Sequence, residues 1–225
     1  MSGKIYIVAT PIGNLGDITI RAVEILKAVD FIACEDTRRT VKLLNHLGIK
    51  RKMVSFHEHS KLQKINFFIE RLLNGENIAL VTDAGTPGIC DPGGRLVQRA
   101  IENDIEVVAI PGVSALATIL SISGAPNEPC LFLGYPPKKG RDNFWRRAFD
   151  SAKVGKFKTI CFYESCYRIE NTLALLAGTN SNLELVVARE LTKKFETIIR
   201  GDVASILEQL KNSSAKGEFT VLLVL

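Results

Sequence analysis

The densest run of ligand-handling residue types lies at Asp83-Ala84-Gly85-Thr86-Pro87-Gly88-Ile89-Cys90-Asp91-Pro92-Gly93-Gly94. Glycine permits backbone angles that other residues avoid and lets a ligand approach the main chain, while proline lessens the entropy lost on ordering a loop. The preceding Ala79-Leu80-Val81 has strand character, and open α/β sheets bind ligands just beyond the carboxyl ends of their strands. A plain connecting turn needs far less than this, so the loop is expected to be a binding site.

A second chemical group, Cys34-Glu35-Asp36-Thr37-Arg38-Arg39, follows another apolar run. Part of it is explained by a helix start, with Asp36 or Thr37 as the cap. That does not explain why charge crowds neighbouring strand ends. A third group, His57-Glu58-His59, follows a further strand-like segment. Alternation puts both imidazoles on one face, which suits a metal, but no third ligand accompanies them. The expectation is a polar cluster on the substrate side, with no metal. Familiar phosphate motifs are missing: there is no GxxxxGK[ST], and Gly13-Asn14-Leu15-Gly16 is not GxGxxG. No GxSxG elbow for acyl transfer occurs either.

Basic charge gathers at Lys138, Lys139 and Arg141, continuing through Arg146 and Arg147 with Phe144 and Trp145 interleaved. Phosphate neutralisation combined with base stacking needs that mixture, and a solvated helix face with Trp145 packed inward is the alternative. The formal charge of +5 permits a polyanionic partner.

These groups must be positioned by regular elements. Strands are expected over 4–10, 31–34, 52–56, 78–82 and 106–110. Helices are expected over 17–29 with Asp17 as N-cap, 37–47 closed by Gly48, 61–74, and 92–103 with Asp91 as cap. Repeated βα units imply a parallel sheet covered on both faces. Pro111-Gly112 reads as a hinge, giving domains 1–111 and 112–225. The second is expected to be α/β with a mixed sheet: helices over 114–123, 141–152, 168–176 and 202–210, and strands over 131–133, 159–163, 185–189 and 218–225. Residues 196–200 are expected to pair with a neighbour as a ribbon.

A chain of 225 residues, 46% apolar and 24% charged, has core enough to fold without staples. Its longest apolar stretches are too short to cross a bilayer. The amino terminus reaches Ile5-Tyr6-Ile7-Val8 at once and reads as a strand rather than a secretion signal. Five cysteines without CxxC spacing suit a reducing cytoplasm.

Taken in order, several strings resemble one family. They are Ala9-Thr10-Pro11-Ile12-Gly13-Asn14-Leu15-Gly16-Asp17, Cys34-Glu35-Asp36-Thr37-Arg38, the Asp83 loop, and Pro111-Gly112-Val113-Ser114-Ala115. They continue with Phe162-Tyr163-Glu164-Ser165 and Arg168, Ala188-Arg189-Glu190-Leu191-Thr192-Lys193, and Lys216-Gly217-Glu218. The set resembles the bacterial enzymes that methylate a cytidine ribose 2′-hydroxyl in small-subunit ribosomal RNA, within the tetrapyrrole methylase superfamily. That resemblance implies two α/β domains with S-adenosylmethionine in the cleft between them, held largely by backbone groups, in a homodimer. Pro11, Asp83, Ala84, Gly85, Ser114 and Ala115 would line the cofactor site, with Tyr163, Arg189 and Glu190 as second-domain contributors. The RNA partner would be met within the assembled 30S subunit, with Lys138, Lys139, Arg141 and Arg146 as contacts. Glu35, Asp36, His57 and Glu58 are candidate proton acceptors for the ribose hydroxyl, and Arg38 could hold a phosphate or orient a carboxylate. Many members extend past Lys216-Gly217-Glu218 into a further small domain, whereas this chain ends at Leu225. Two alternatives remain open: a methylase of the same fold acting on a tetrapyrrole or other small molecule, and a non-catalytic RNA-binding assembly factor.

Overall fold

The structure is a computed structural model that describes residues 2–57, 60, 62–126, 129–179, 183–211 and 216–225. The chain divides into two units, Met1–Ser114 and Ala115–Leu225, so the boundary falls just beyond the Pro111-Gly112 turn.

The first unit alternates strand and helix throughout: β1 (Ile5–Val8), α1 (Ile20–Ala28), β2 (Phe31–Cys34), α2 (Thr37–His46), β3 (Lys52–Ser55), α3 (Leu62–Leu73), β4 (Ile78–Val81), α4 (Gly94–Glu102) and β5 (Val107–Ile110). The five strands form one sheet in the order β3-β2-β4-β1-β5, and every pairing is parallel. Strand alternation sorts the apolar side chains onto two faces. Phe31, Ala33, Ile78 and Leu80 pack with Phe68 and Leu72 of α3 and Leu96 of α4. Ile32, Cys34, Ala79 and Val81 pack with Ala22 and Leu26 of α1 and Leu44 of α2. Both faces are therefore covered, as parallel sheets require. Phe68 is the hub of the first layer, stacked on Phe31 and edge-on to Phe56.

Two helix starts differ from expectation. Thr19, not Asp17, caps α1, its hydroxyl accepting the Ala22 N–H at 3.1 Å. Asp17 closes a single 3₁₀ turn, after which Ile18 returns to extended backbone. The cap of α4 is Gly93, without a side-chain bond, rather than Asp91. Pro92 and Gly93 are still part of the turn, and the helix begins at Gly94.

The second unit comprises α5 (Ala115–Ser123), β6 (Cys130–Phe132), α6 (Arg141–Val154), β7 (Thr159–Ser165), α7 (Ile169–Thr179), β8 (Glu184–Arg189), β9 (Thr197–Asp202), α8 (Val203–Lys211) and β10 (Glu218–Val224). Its sheet runs β6-β7-β10-β8-β9. Only the β6–β7 pairing is parallel; the other three are antiparallel, and β8 with β9 forms a ribbon. Phe162, Val187, Phe219 and Val221 bury against Trp145 of α6, Leu173 of α7 and Ile206 of α8. The helix α5 contacts β10 and β8, and Arg200 on β9 donates to the Ile122 carbonyl at 2.6 Å, satisfying a group at the end of α5. Among the described residues no helix is long and apolar enough to cross a membrane.

Removing the Phe68 ring leaves a void between Phe31 and Phe56 that rigid strands cannot close. Phe68→Ala is expected to lower unfolding free energy by about 4 kcal/mol, measured by urea titration of the full chain.

Candidate active site

In a parallel sheet every strand delivers its following loop to the same edge, and the first unit's polar residues collect there. The turn after β1 and the turn after β4 join in a two-way backbone bridge: Thr10 N–H donates to the Gly85 carbonyl at 2.8 Å, and Gly85 N–H donates back at 3.0 Å. The buried Thr10 hydroxyl adds a bond to the Thr82 carbonyl at 3.0 Å. Asp83 ties the β4 turn to the β2 turn. Its Oδ1 accepts the Asp36 N–H at 3.1 Å, and its Oδ2 lies 3.4 Å from Arg39 Nε. Thr82 reaches the same turn through its hydroxyl, which donates to Glu35 Oε2 at 3.1 Å.

Backbone dominates the middle of this cluster. Gly85 adopts φ +82°, and a Cβ there would lie 3.5 Å from Ile12 and 3.9 Å from the Val113 carbonyl. A Cβ on Gly112 would come within 2.9 Å of the Ala9 Cβ. The loops after β1, β4 and β5 thus converge where side chains have been omitted, leaving main-chain groups as the lining. Pro11 is buried beside the bridge, while Asp83, Ala84 and Ser114 are partly exposed. A ligand held mainly by backbone N–H and carbonyl groups fits such a cradle.

The candidate proton acceptors differ sharply in their surroundings. Asp36 caps α2 and pairs with Arg38 at 2.7 Å. Bonds from the Arg38 side chain and then its backbone N–H hold the Asp36 carboxyl down to about 2, so it is a weak proton acceptor. Arg38 is thereby engaged as well. Glu35 is partly buried, accepts the Thr82 hydroxyl, and has no ion pair among the described residues. His57 is exposed past the end of β3, its N–H donating to the Ser60 hydroxyl at 3.0 Å. Glu58, and His59 with it, lies outside the described residues. Burial pushes the Cys34 thiol up, which removes it as a nucleophile.

In the second unit, Tyr163 packs edge-on against Phe132 and Tyr135. Arg189 ends β8, and the turn beyond it holds Glu190 at φ +54° and Thr192 at φ +65°. Such angles are unfavourable for a β-branched residue and persist only where neighbours enforce them. Here Glu190 Oε1 accepts both Lys193 Nζ and the Glu218 N–H, each at 2.9 Å. Burial opposes the ionised Glu190, but Lys193 and the Glu218 N–H prevail and hold its carboxyl below the ordinary range.

In the basic segment the aromatic and one of the cations turn inward. Trp145 is 1% exposed and packs on Phe162, so it presents no face for stacking. Arg141 turns inward to pair with Glu164 at 2.9 Å, so its guanidinium is only partly exposed and already engaged by an acid. Lys138, Lys139 and Arg146 remain exposed. Helical spacing alone does not reveal which cation of such a run finds a buried acid.

A model of the tetrapyrrole (corrin/porphyrin) methylases matches residues 4–207. The chain belongs to the tetrapyrrole methylase family. It is a methyltransferase, 48% identical over 96% of its length to the ribosomal RNA small subunit methyltransferase I of Streptococcus pyogenes serotype M3, of which it covers 75%. The protein of the same name from Hydrogenobaculum sp. is 44% identical, with 98% of this chain and 95% of that one aligned. Solved structures share the fold at low identity. Cobalt precorrin-4 methyltransferase has a TM-score of 0.73 and 17% identity over 98% of this chain and 94% of its own. Diphthine synthase has a TM-score of 0.72 and 14% identity over 99% and 90%.

Three contributors are given no role by the sequence reading: Thr10, Thr82 and Glu164. The threonines sit at strand ends, where a hydroxyl can bridge adjacent turns. Glu164 had a sequence signal in its spacing to Arg168, with which it pairs at 2.7 Å. Its side chain is fully buried, and besides the two arginines it accepts the Thr172 hydroxyl at 2.6 Å and the Ser165 N–H at 2.9 Å. Glu164→Ala removes the one acid that two partly buried guanidinium groups share and leaves a void where a fully buried carboxylate sat. It is expected to cost about 3 kcal/mol in urea unfolding, more than Lys138→Ala, which should be nearly neutral.

Proposed function

We propose that this methyltransferase transfers the methyl group of S-adenosylmethionine to the ribose 2′-hydroxyl of a cytidine in small-subunit ribosomal RNA. The observation that carries this reading is the backbone cradle formed by the Thr10–Gly85 bridge with the turns at Pro11 and Gly112, at the sheet edge where α/β folds take their ligands. The names of relatives at 48% and 44% identity supply the acceptor class. Action on the assembled 30S subunit, by a cytoplasmic homodimer, belongs to the same proposal.

The sulfonium donor supplies an electrophilic methyl carbon. The protein's part is to hold donor and hydroxyl in line and to exclude water. Pro11, Asp83, Ala84, Gly85 and Ser114 would hold the donor. Glu35 would accept the hydroxyl proton, because it is the described strand-end carboxylate without a guanidinium partner; Asp36 and Asp83 face Arg38 and Arg39. The exposed Lys138, Lys139 and Arg146 would meet RNA phosphates.

Calorimetric titration with S-adenosylmethionine should show saturable uptake, and incubation with small-subunit ribosomal RNA or assembled subunits should yield 2′-O-methylcytidine by nucleoside mass spectrometry. Absence of uptake would end the enzymatic reading, and uptake without that nucleoside would redirect the acceptor. Gly85→Ala, which strains a left-handed position, should weaken donor binding about tenfold. Glu35→Gln should slow single-turnover methylation at unchanged donor affinity; an unchanged rate would leave positioning as the whole of the catalysis.

A further inference from the structure

Between Asp36 and Glu58 the sequence carries six Lys and Arg residues and no acidic one: Arg38, Arg39, Lys42, Lys50, Arg51 and Lys52. The structure gathers them along one edge of the first unit. All six are exposed. Arg38 and Lys42 fall on one stripe of α2, with Asn45 continuing it at helical spacing. The helix is about 15 Å long and leads from the turn that holds Glu35 and Asp36 back to the opposite end of the sheet. There the chain turns through Gly48 into Lys50, Arg51 and Lys52 at the start of β3, an edge strand.

At that turn lies an open depression of about 430 Å³ with an apolar floor of Leu44, Ile49 and Met53 and a rim formed by Lys50, Arg51 and Lys52. Arg51 is anchored by donation to the Lys27 carbonyl in the last turn of α1. Lys42, Lys50 and Lys52 have no ion pair among the described residues. The nearby acid Asp30 already accepts the Asn77 N–H at 2.7 Å. Clustered cations without acidic partners match the charge neutralisation a single RNA strand demands, and the hollow beside them gives room for a nucleotide.

We infer that the α2–β3 edge is a docking track for a single-stranded RNA segment flanking the target nucleotide, with phosphates on Lys42, Lys50 and Lys52 and a base in the hollow. The inference rests on the proposal that the acceptor is RNA. It assigns to the first unit a contact surface separate from the exposed lysines of the second. None of these residues belongs to the backbone cradle, so donor binding is independent of them.

The test compares wild type with the triple variant Lys42→Gln, Lys50→Gln, Lys52→Gln, using small-subunit ribosomal RNA both protein-free and in assembled subunits, over a range of salt concentrations. Each lost phosphate contact lowers the slope of log affinity against log salt by about 0.7, so the triple should be shallower by about 2. KM for RNA should rise at least tenfold, with kcat and S-adenosylmethionine affinity retained. The triple arginine variant should restore the wild-type slope. A charge-matched variant elsewhere, Lys153→Gln, Lys156→Gln, Lys211→Gln, should leave it near wild type. An unchanged slope in the first triple, or an equal loss in the charge-matched one, overturns the track while wild-type methylation still stands. Loss of binding to assembled subunits with normal binding to free RNA overturns it in favour of an acidic protein face. A wild type that takes up donor but neither binds nor methylates RNA in either form removes the acceptor assignment and the track together.

Discussion

A carboxylate fixed through one oxygen by a backbone N–H and faced at the other by a guanidinium cannot move without leaving partners unsatisfied. Asp83 is held in this way, between Asp36 N–H and Arg39. With the Thr10–Gly85 bridge, it makes three separate turns of a parallel sheet behave as one surface. The turns come from strands distant in sequence, and nothing local would hold them in register. The sheet brings them to a common edge, and these few bonds fix their spacing there.

The second unit uses a different device for the same purpose. Glu164 is buried between Arg141 and Arg168, and Arg168 also donates to the Pro136 carbonyl at 2.9 Å. The loop carrying Lys138 and Lys139 is thus pinned to β7 and α7 from beneath, while its lysines stay in solvent. A paired buried charge contributes little net stability relative to an apolar core, but a broken pair is costly. Such a network therefore favours one loop conformation over others.

Much of this was legible from residue order. The strand Phe31–Cys34 is continuous apolar sequence and occurs where expected, because a strand buried on both faces has no other use for four such residues. The Asp83 loop announced itself by composition, and its position past β4 followed from the apolar run before it. What residue order did not reveal were contacts decided by tertiary packing. The side of α6 that turns inward is fixed by the Phe162 surface it meets, and that buries Trp145 and brings Arg141 to Glu164. The cap of α1 moved to Thr19 because the intervening 3₁₀ turn consumed Asp17, a competition between two local conformations of similar merit. Glu35 and Asp36 are adjacent acids that sequence could not rank. Their difference is the presence of Arg38 on one and of the Thr82 hydroxyl on the other.

The placement of β1 has a consequence for folding. Its residues pair with β4 on one side and β5 on the other, Val8 lying opposite Ile110. In chain order β1 therefore precedes its first partner by about seventy residues and its second by about a hundred, so its two edges are covered at different stages. Until β5 arrives, the edge of β1 that faces it stays open to any other extended segment, so contacts far apart in the chain govern how fast this sheet closes.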